Sequence, residues 1–272
     1  PRHEAAVVKL LDQVRANGRD DIYLDTYEGF YCVSCELYYA EGDLLEGRLC
    51  PIHERPIELM KEQNYFFRLS AYADRLLELY EREPSREGPA VRRNELLSLI
   101  RGGLQDFSIS RAGQPWGIPI PWDTEQVAYV WADALVNYLS ALTYARPGEN
   151  LIPTFWPQVR HLLGKDILRF HCVYWPALLL AAGYEVPRQL FVHGYLLLDD
   201  RKISKSLGNV LSLAHLAELR TPPHAFRYFL LSAHYRQQMS FNEEAIKGAQ
   251  AAYDVGIQRT CWQIHSLTNW MG

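Results

Sequence analysis

The stretch Leu190-Phe-Val-His-Gly-Tyr-Leu-Leu-Leu-Asp-Asp-Arg-Lys-Ile-Ser-Lys-Ser-Leu-Gly-Asn209 decides how the rest of the chain is read. Its first nine residues are apolar and β-prone, which predicts a strand over 190–198. A polar loop with two lysines, two serines and a glycine follows, and then a helix over 213–219. Strand, charged loop and helix in that order form half of a unit in which ligands bind at the carboxyl ends of strands. A loop of this composition can close over a triphosphate and bring ammonium groups to developing negative charge. A solvated basic turn is the competing reading.

The same alternation extends upstream. The pattern predicts a strand over 127–131 and a helix over 133–142, then a strand over 161–163 and a helix over 166–182. Alternation of this kind argues for an α/β fold with a parallel sheet, of which only about half is present. Before Gly102-Gly103 the texture differs. Val7, Leu10, Leu11 and Val14 recur at helical spacing, and Asn17-Gly18 ends that helix. A second helix is expected over 65–83, with Leu69, Tyr72, Leu76 and Tyr80 on one face, and a shorter one over 94–100. Downstream, helices are expected over 224–232 and after Ser240, which stands three residues before Glu243 as in a capping box.

Between the first two helices lies a turn-rich segment containing Cys32-Val-Ser-Cys35 and Cys50-Pro-Ile-His53. Two-residue gaps let each pair grip one side of a tetrahedral ion, so the pattern predicts one structural Zn2+ held by Cys32, Cys35, Cys50 and His53. Three buried thiols and a surface histidine are the bland alternative. Cys172 lies in an apolar run and reads as plain core.

The chain has 272 residues, 48% hydrophobic and 22% charged, with a formal net charge of -4. A polyanion partner must therefore be held by local patches, not by overall charge. No apolar run is long enough to span a bilayer, so no membrane partner is expected. Five cysteines in this arrangement suggest reduced thiols and a cytoplasmic location.

Lys202-Ile-Ser-Lys205-Ser206 resembles the KMSKS signature of class I aminoacyl-tRNA synthetases. Further segments resemble the methionyl branch of that family, in order along the chain: Glu28-Gly-Phe-Tyr-Cys32, Asn64-Tyr-Phe-Phe-Arg68, Ser108-Ile-Ser-Arg111, Trp116-Gly-Ile-Pro119, Tyr129-Val-Trp-Ala-Asp133 and Gly164-Lys-Asp-Ile167. The resemblance covers roughly residues 1–215. It implies the second half of a Rossmann-like catalytic domain with a zinc-knuckle connective insertion and a helical stem-contact segment. The implied organisation is residues 1–20 as the end of the first catalytic half, 21–107 as the insertion, 108–210 as the second half with the KISKS loop, and 211–272 as the stem-contact segment and the start of a helix bundle.

The resemblance also implies roles. Lys202 and Lys205 would stabilise the pyrophosphate side of the transition state, with Ser204 in support. Gly164, Lys165, Asp166, Arg111 and His193 would contact ATP, which brings its own Mg2+. Trp131, Ala134, Leu135, Tyr138, Ile167 and His171 would line the side-chain pocket. Trp131, Leu135 and Ile167 suit a polarizable thioether, and Tyr138 and His171 can offer a hydrogen bond to its sulfur.

The implied function is methionine–tRNA ligase, with methionine, ATP and tRNA as partners and a monomer as the working unit. The HIGH motif of class I enzymes does not occur among the 272 residues. A fragment that is inactive alone is the expectation. Phe226-Arg-Tyr-Phe-Leu-Leu-Ser followed by Ser240-Phe-Asn-Glu-Glu244 looks more like a cysteinyl-type tail. Between Arg220 and Arg259 five Lys or Arg accompany three Asp or Glu, a basic bias that could touch an acceptor stem. Two alternatives stay open: a homologue activating an amino acid for tRNA-independent ligation in biosynthesis, and a non-catalytic binding module.

Overall fold

A computed structural model describes residues 2–33, 37–39, 41–51, 54–144, 148–199, 201–202, 212–233 and 237–268. Two compact units divide the chain at Val192–His193.

In the first unit the opening helix Arg2–Arg15 buries Val7, Leu10, Leu11 and Val14, the four residues at helical spacing. Each such aliphatic side chain, fully removed from water, contributes about 1.5–3 kcal/mol of transfer free energy. A long antiparallel hairpin follows, pairing Ile22–Cys32 with Glu58–Phe67 from Ile22↔Phe67 to Tyr31↔Glu58. Helices Ala73–Arg82 and Ala90–Arg101 complete the upstream part.

The second expected helix is therefore shorter than 65–83. Tyr65, Phe66 and Phe67 are the end of a strand, facing Leu24, Tyr23 and Ile22. Aromatic residues favour a paired, half-buried surface, and the cross-strand contacts outweigh the helical spacing of the neighbouring residues.

The α/β part has two strand-to-helix crossings. Asp123–Ala128 is a strand, and Tyr129 leads into helices Val130–Ala134 and Asn137–Tyr144. The expected strand over 127–131 thus stops at Ala128, and the expected single helix is two. Strand Arg160–Gly164 runs into a 3₁₀ turn, Lys165–Ile167, then a π-helical turn, Phe170–Tyr174, and helix Trp175–Ala182. Gly183 closes that helix in the left-handed region, at φ 79°, where a glycine has no Cβ to clash. Strand Gln189–His193 lies between Arg160–Gly164 and the short strand Glu87–Gly88, the latter in parallel register. The core gathers around Trp175, Leu178, Leu179, Leu190 and Val192, all fully buried.

The strand expected over 190–198 is two strands in different sheets, separated at Gly194-Tyr195. In the second unit Leu196–Leu198 pairs antiparallel with Arg201–Lys202 and parallel with Met239–Phe241. Helices Leu213–Glu218, Pro223–Ser232 and Glu243–Thr268 surround a small core of Leu216, Phe229, Phe241, Ile246 and Ala249. The last helix is capped by Asn242, whose Oδ1 accepts from Ala245 N at 2.8 Å. Ser240 belongs to the strand before it, so the expected capping box does not form. No helix among the described residues is long and apolar enough to cross a membrane.

One buried group in the first unit carries a consequence for stability. Glu87 is 3% exposed, and neither of its carboxyl oxygens has a hydrogen-bond partner among the described residues. Burial pushes its pKa up to about 8, against the opposing pull of Arg93 and Arg92. Between the usual value of 4.5 and about 8, the folded chain keeps a proton that the unfolded chain releases. Stability from this group is thus lost as pH rises, by up to about 1.4 kcal/mol per pH unit. Denaturant titrations should show Glu87→Gln gaining on the parent between pH 5 and pH 8. A stability difference independent of pH would contradict this assignment.

Candidate amino-acid and nucleotide site

The side chains of the expected pocket come from the two strand-to-helix crossings. Trp131 stacks on Phe170 at a ring separation of 3.8 Å and 12° between planes. Leu135 is buried, and Ala134 and Ile167 are half-buried. Tyr138 and His171 meet directly, with Tyr138 Oη 2.9 Å from His171 Nε2. His171 Nδ1 lies 3.0 Å from the Ile167 carbonyl oxygen.

A carbonyl can only accept, so Nδ1 of His171 carries the hydrogen. Burial lowers the pKa of His171, against the hydrogen bond to Ile167, and favours the neutral ring. Nε2 is then an acceptor, and Tyr138 donates to it. Both donors of the pair are engaged, one on Ile167 and one within the pair. In this arrangement neither has a hydrogen left to donate to sulfur, whereas the buried Nε1 of Trp131 has no hydrogen-bond partner among the described residues.

His161 was not among the expected site residues, yet its ring sits 4.1 Å from that of Tyr138. It is 4% exposed, and its Nε2 has no hydrogen-bond partner among the described residues. Desolvation, with His171 nearby, pushes its pKa down to about 4. Trp156 and Trp175 extend the aromatic cluster. Strand alternation, with His161 and Leu163 buried between exposed Arg160 and Leu162, was the available signal for His161. A cavity of about 420 Å³ opens beside Tyr138, Leu142, Val159 and His161.

Gly164, Lys165 and Asp166 lie at the carboxyl end of strand Arg160–Gly164, where the backbone turns into the 3₁₀ segment. Asp166 is exposed and Lys165 is one-third exposed, with its Nζ 3.3 Å from Glu95. Arg111 behaves differently. Its guanidinium pairs with Glu62 at 2.7 Å, lies over the Tyr31 ring and is almost fully buried. Its charge is spent on holding the long hairpin.

In the second unit His193 is exposed, its Nδ1 2.7 Å from the Gly194 carbonyl. Lys202 ends the strand Arg201–Lys202. Ser204 and Lys205 lie outside the described residues, as do Cys35 and His53.

Of the expected zinc ligands, Cys32 is 3% and Cys50 0% exposed, and neither forms a disulfide. Cys32 ends the first strand of the hairpin, and Cys50 Sγ lies 3.6 Å from the Tyr39 hydroxyl. Among the described residues no three His, Cys, Asp or Glu side chains converge as a metal site.

The model of the family described as tRNA synthetases class I (M) matches residues 41–249. The chain belongs to the class I (M) tRNA synthetases. It is 50% identical over 85% of its length to the chloroplastic/mitochondrial methionine–tRNA ligase of Arabidopsis thaliana, covering 38% of that protein. It is 46% identical over 94% of its length to the methionine–tRNA ligase of Thermosynechococcus vestitus, covering 49% of it. The structure of Mycobacterium tuberculosis methionyl-tRNA synthetase bound by methionyl-adenylate superposes with a TM-score of 0.81 at 43% identity, over 91% of this chain and 49% of that one. The chain thus spans half or less of the length of these family members.

Proposed function

We propose that this chain is part of the catalytic region of a methionine–tRNA ligase, which joins methionine to ATP as methionyl-adenylate and passes the methionyl group to tRNA. The observation that carries this is the Tyr138–His171 pair, whose histidine bonds the Ile167 carbonyl just after Gly164-Lys165-Asp166 at a strand's carboxyl end. A pocket for an apolar, polarizable side chain beside a turn suited to a nucleotide is what the reaction requires.

In this reading Trp131, Ala134, Leu135, Tyr138, Ile167 and His171 hold the methionine side chain. Gly164 lets the backbone come close to ATP, Asp166 takes the ribose, and Lys165 and His193 contact the nucleotide. Lys202, Ser204 and Lys205 act on the pyrophosphate. The methionine carboxylate attacks the α-phosphorus and pyrophosphate leaves; a terminal ribose hydroxyl of tRNA then attacks the adenylate carbonyl and AMP leaves. The protein's part is positioning and stabilisation of charge, with Mg2+ entering on ATP. Residues 1–20 and 108–210 belong to the Rossmann-like catalytic domain, 21–107 to the connective insertion, and 211–272 to the stem-contact segment. Reduced, buried thiols suit a cytoplasmic protein, and a monomer is the working unit.

The insertion holds one structural Zn2+ through Cys32, Cys35, Cys50 and His53. Two buried thiols at the end of the hairpin, in a segment where residues 41–49 are largely exposed, support this reading. Such a segment has little core of its own, and a metal can supply the missing cross-link. Elemental analysis should find about one zinc per chain in the parent and none in a Cys32→Ala, Cys50→Ala double variant. Metal-free parent protein that is fully folded would overturn the zinc assignment.

Protein expressed from the complete native reading frame should exchange pyrophosphate into ATP with methionine and with none of the other amino acids. Exchange with a different amino acid would overturn the substrate. No exchange with any would overturn the enzymatic reading and leave a binding module.

A further inference from the structure

Lys165 is the cation at the turn after strand Arg160–Gly164, and it is not left to solvent. Its Nζ lies 3.3 Å from Glu95 Oε1, seventy residues away in sequence. The other oxygen of the same carboxylate, Oε2, takes Arg92 Nη1 at 2.8 Å. Glu95 thus spends one oxygen on each cation, in an Arg92–Glu95–Lys165 chain.

The helix that carries Arg92 and Glu95, Ala90–Arg101, is itself well anchored. Leu96, Leu97 and Ile100 are buried in the core, and Arg93 Nη2 donates to the Tyr80 carbonyl at 3.0 Å. The carboxylate therefore stands on a rigid support, while the lysine stands on a long, freely rotating side chain.

An ion pair this exposed contributes only about 0–1 kcal/mol to stability. Its consequence is directional. A lysine loses up to about 2 kcal/mol of side-chain entropy when its ammonium is confined. Glu95 imposes part of that confinement before any ligand arrives, which lowers the cost of binding an anion there. An ammonium has three donors, and with one on Glu95 two remain for ligand oxygens.

We propose that Glu95 is a positioning residue for the nucleotide: backed by Arg92, it holds the Lys165 ammonium where it meets the phosphate oxygens of ATP. This rests on the reading of Lys165 as a nucleotide contact. Glu95 touches no reacting atom and acts through Lys165 alone. Helix Ala90–Arg101 is thereby tied to the nucleotide turn, and sequence proximity plays no part in the link.

The test uses the full-length protein and methionine-dependent pyrophosphate exchange. Glu95→Gln keeps size and removes charge, and should raise the KM for ATP by roughly three- to tenfold while the KM for methionine changes less than about twofold. Glu95→Asp keeps the charge and should recover part of the loss. Lys165→Gln should raise the KM for ATP as well, and the Glu95→Gln, Lys165→Gln double variant should be no worse than Lys165→Gln alone, because the two act as a unit. If Lys165→Gln raises the KM for ATP and Glu95→Gln leaves it unchanged, or if the two effects add, the positioning role is overturned. If Lys165→Gln itself has no effect, Lys165 is no nucleotide contact and the proposal falls with that reading. A parent without exchange would instead sink the ligase reading.

Discussion

The hydrogen bond from His171 Nδ1 to the Ile167 carbonyl is the constraint on which the candidate site depends. It spans one turn of chain between the 3₁₀ segment Lys165–Ile167 and the π-helical turn Phe170–Tyr174. By claiming the imidazole proton it makes Nε2 an acceptor, and Tyr138 from the other crossing must donate to it. One proton thereby fixes how helix Asn137–Tyr144 meets the π-helical turn, through two residues thirty-three positions apart. Burial disfavours the charged form of both His171 and His161, whose rings sit 6.1 Å apart. A π turn at a site of this kind is common, since the extra residue rotates side chains that a regular helix would place elsewhere.

The arrangement also bears on what the proposed site would hold. Trp131 stacked on Phe170 gives a polarizable surface, while the buried Nε1 of Trp131 and Nε2 of His161 have no hydrogen-bond partner among the described residues. A thioether, polarizable and a weak acceptor, loses little in such a place.

Much of this was legible in the residues, and the limits are physical. The opening helix was readable because Val7, Leu10, Leu11 and Val14 share a face, and all four are buried. The strand before Gly164-Lys165-Asp166 was readable from the apolar run at 161–163, whereas the nucleotide role expected of that turn came from the family resemblance alone. Tyr65–Phe67 misled because three aromatic residues before a helix carry no sign of which strand they will pair with. Ser240 misled because Asn242 offered a competing cap two residues later, and pairing with Leu197 drew Ser240 into a sheet. The Glu95–Lys165 and Arg111–Glu62 pairs were beyond reach, since each joins residues about fifty or seventy positions apart with no local pattern between them. Arg111, expected at the nucleotide, is held by the hairpin for the same reason.

The most direct measurement is a crystal structure of the full-length protein with a non-hydrolysable methionyl-adenylate analogue. The account predicts the methyl thioether packed against Trp131, Leu135 and Ile167, with the Tyr138–His171 hydrogen bond retained and the ribose at Asp166. Density for the analogue away from these residues, for instance in the cleft beneath the hairpin lined by Tyr27, Phe30, Tyr129 and Arg169, would contradict it.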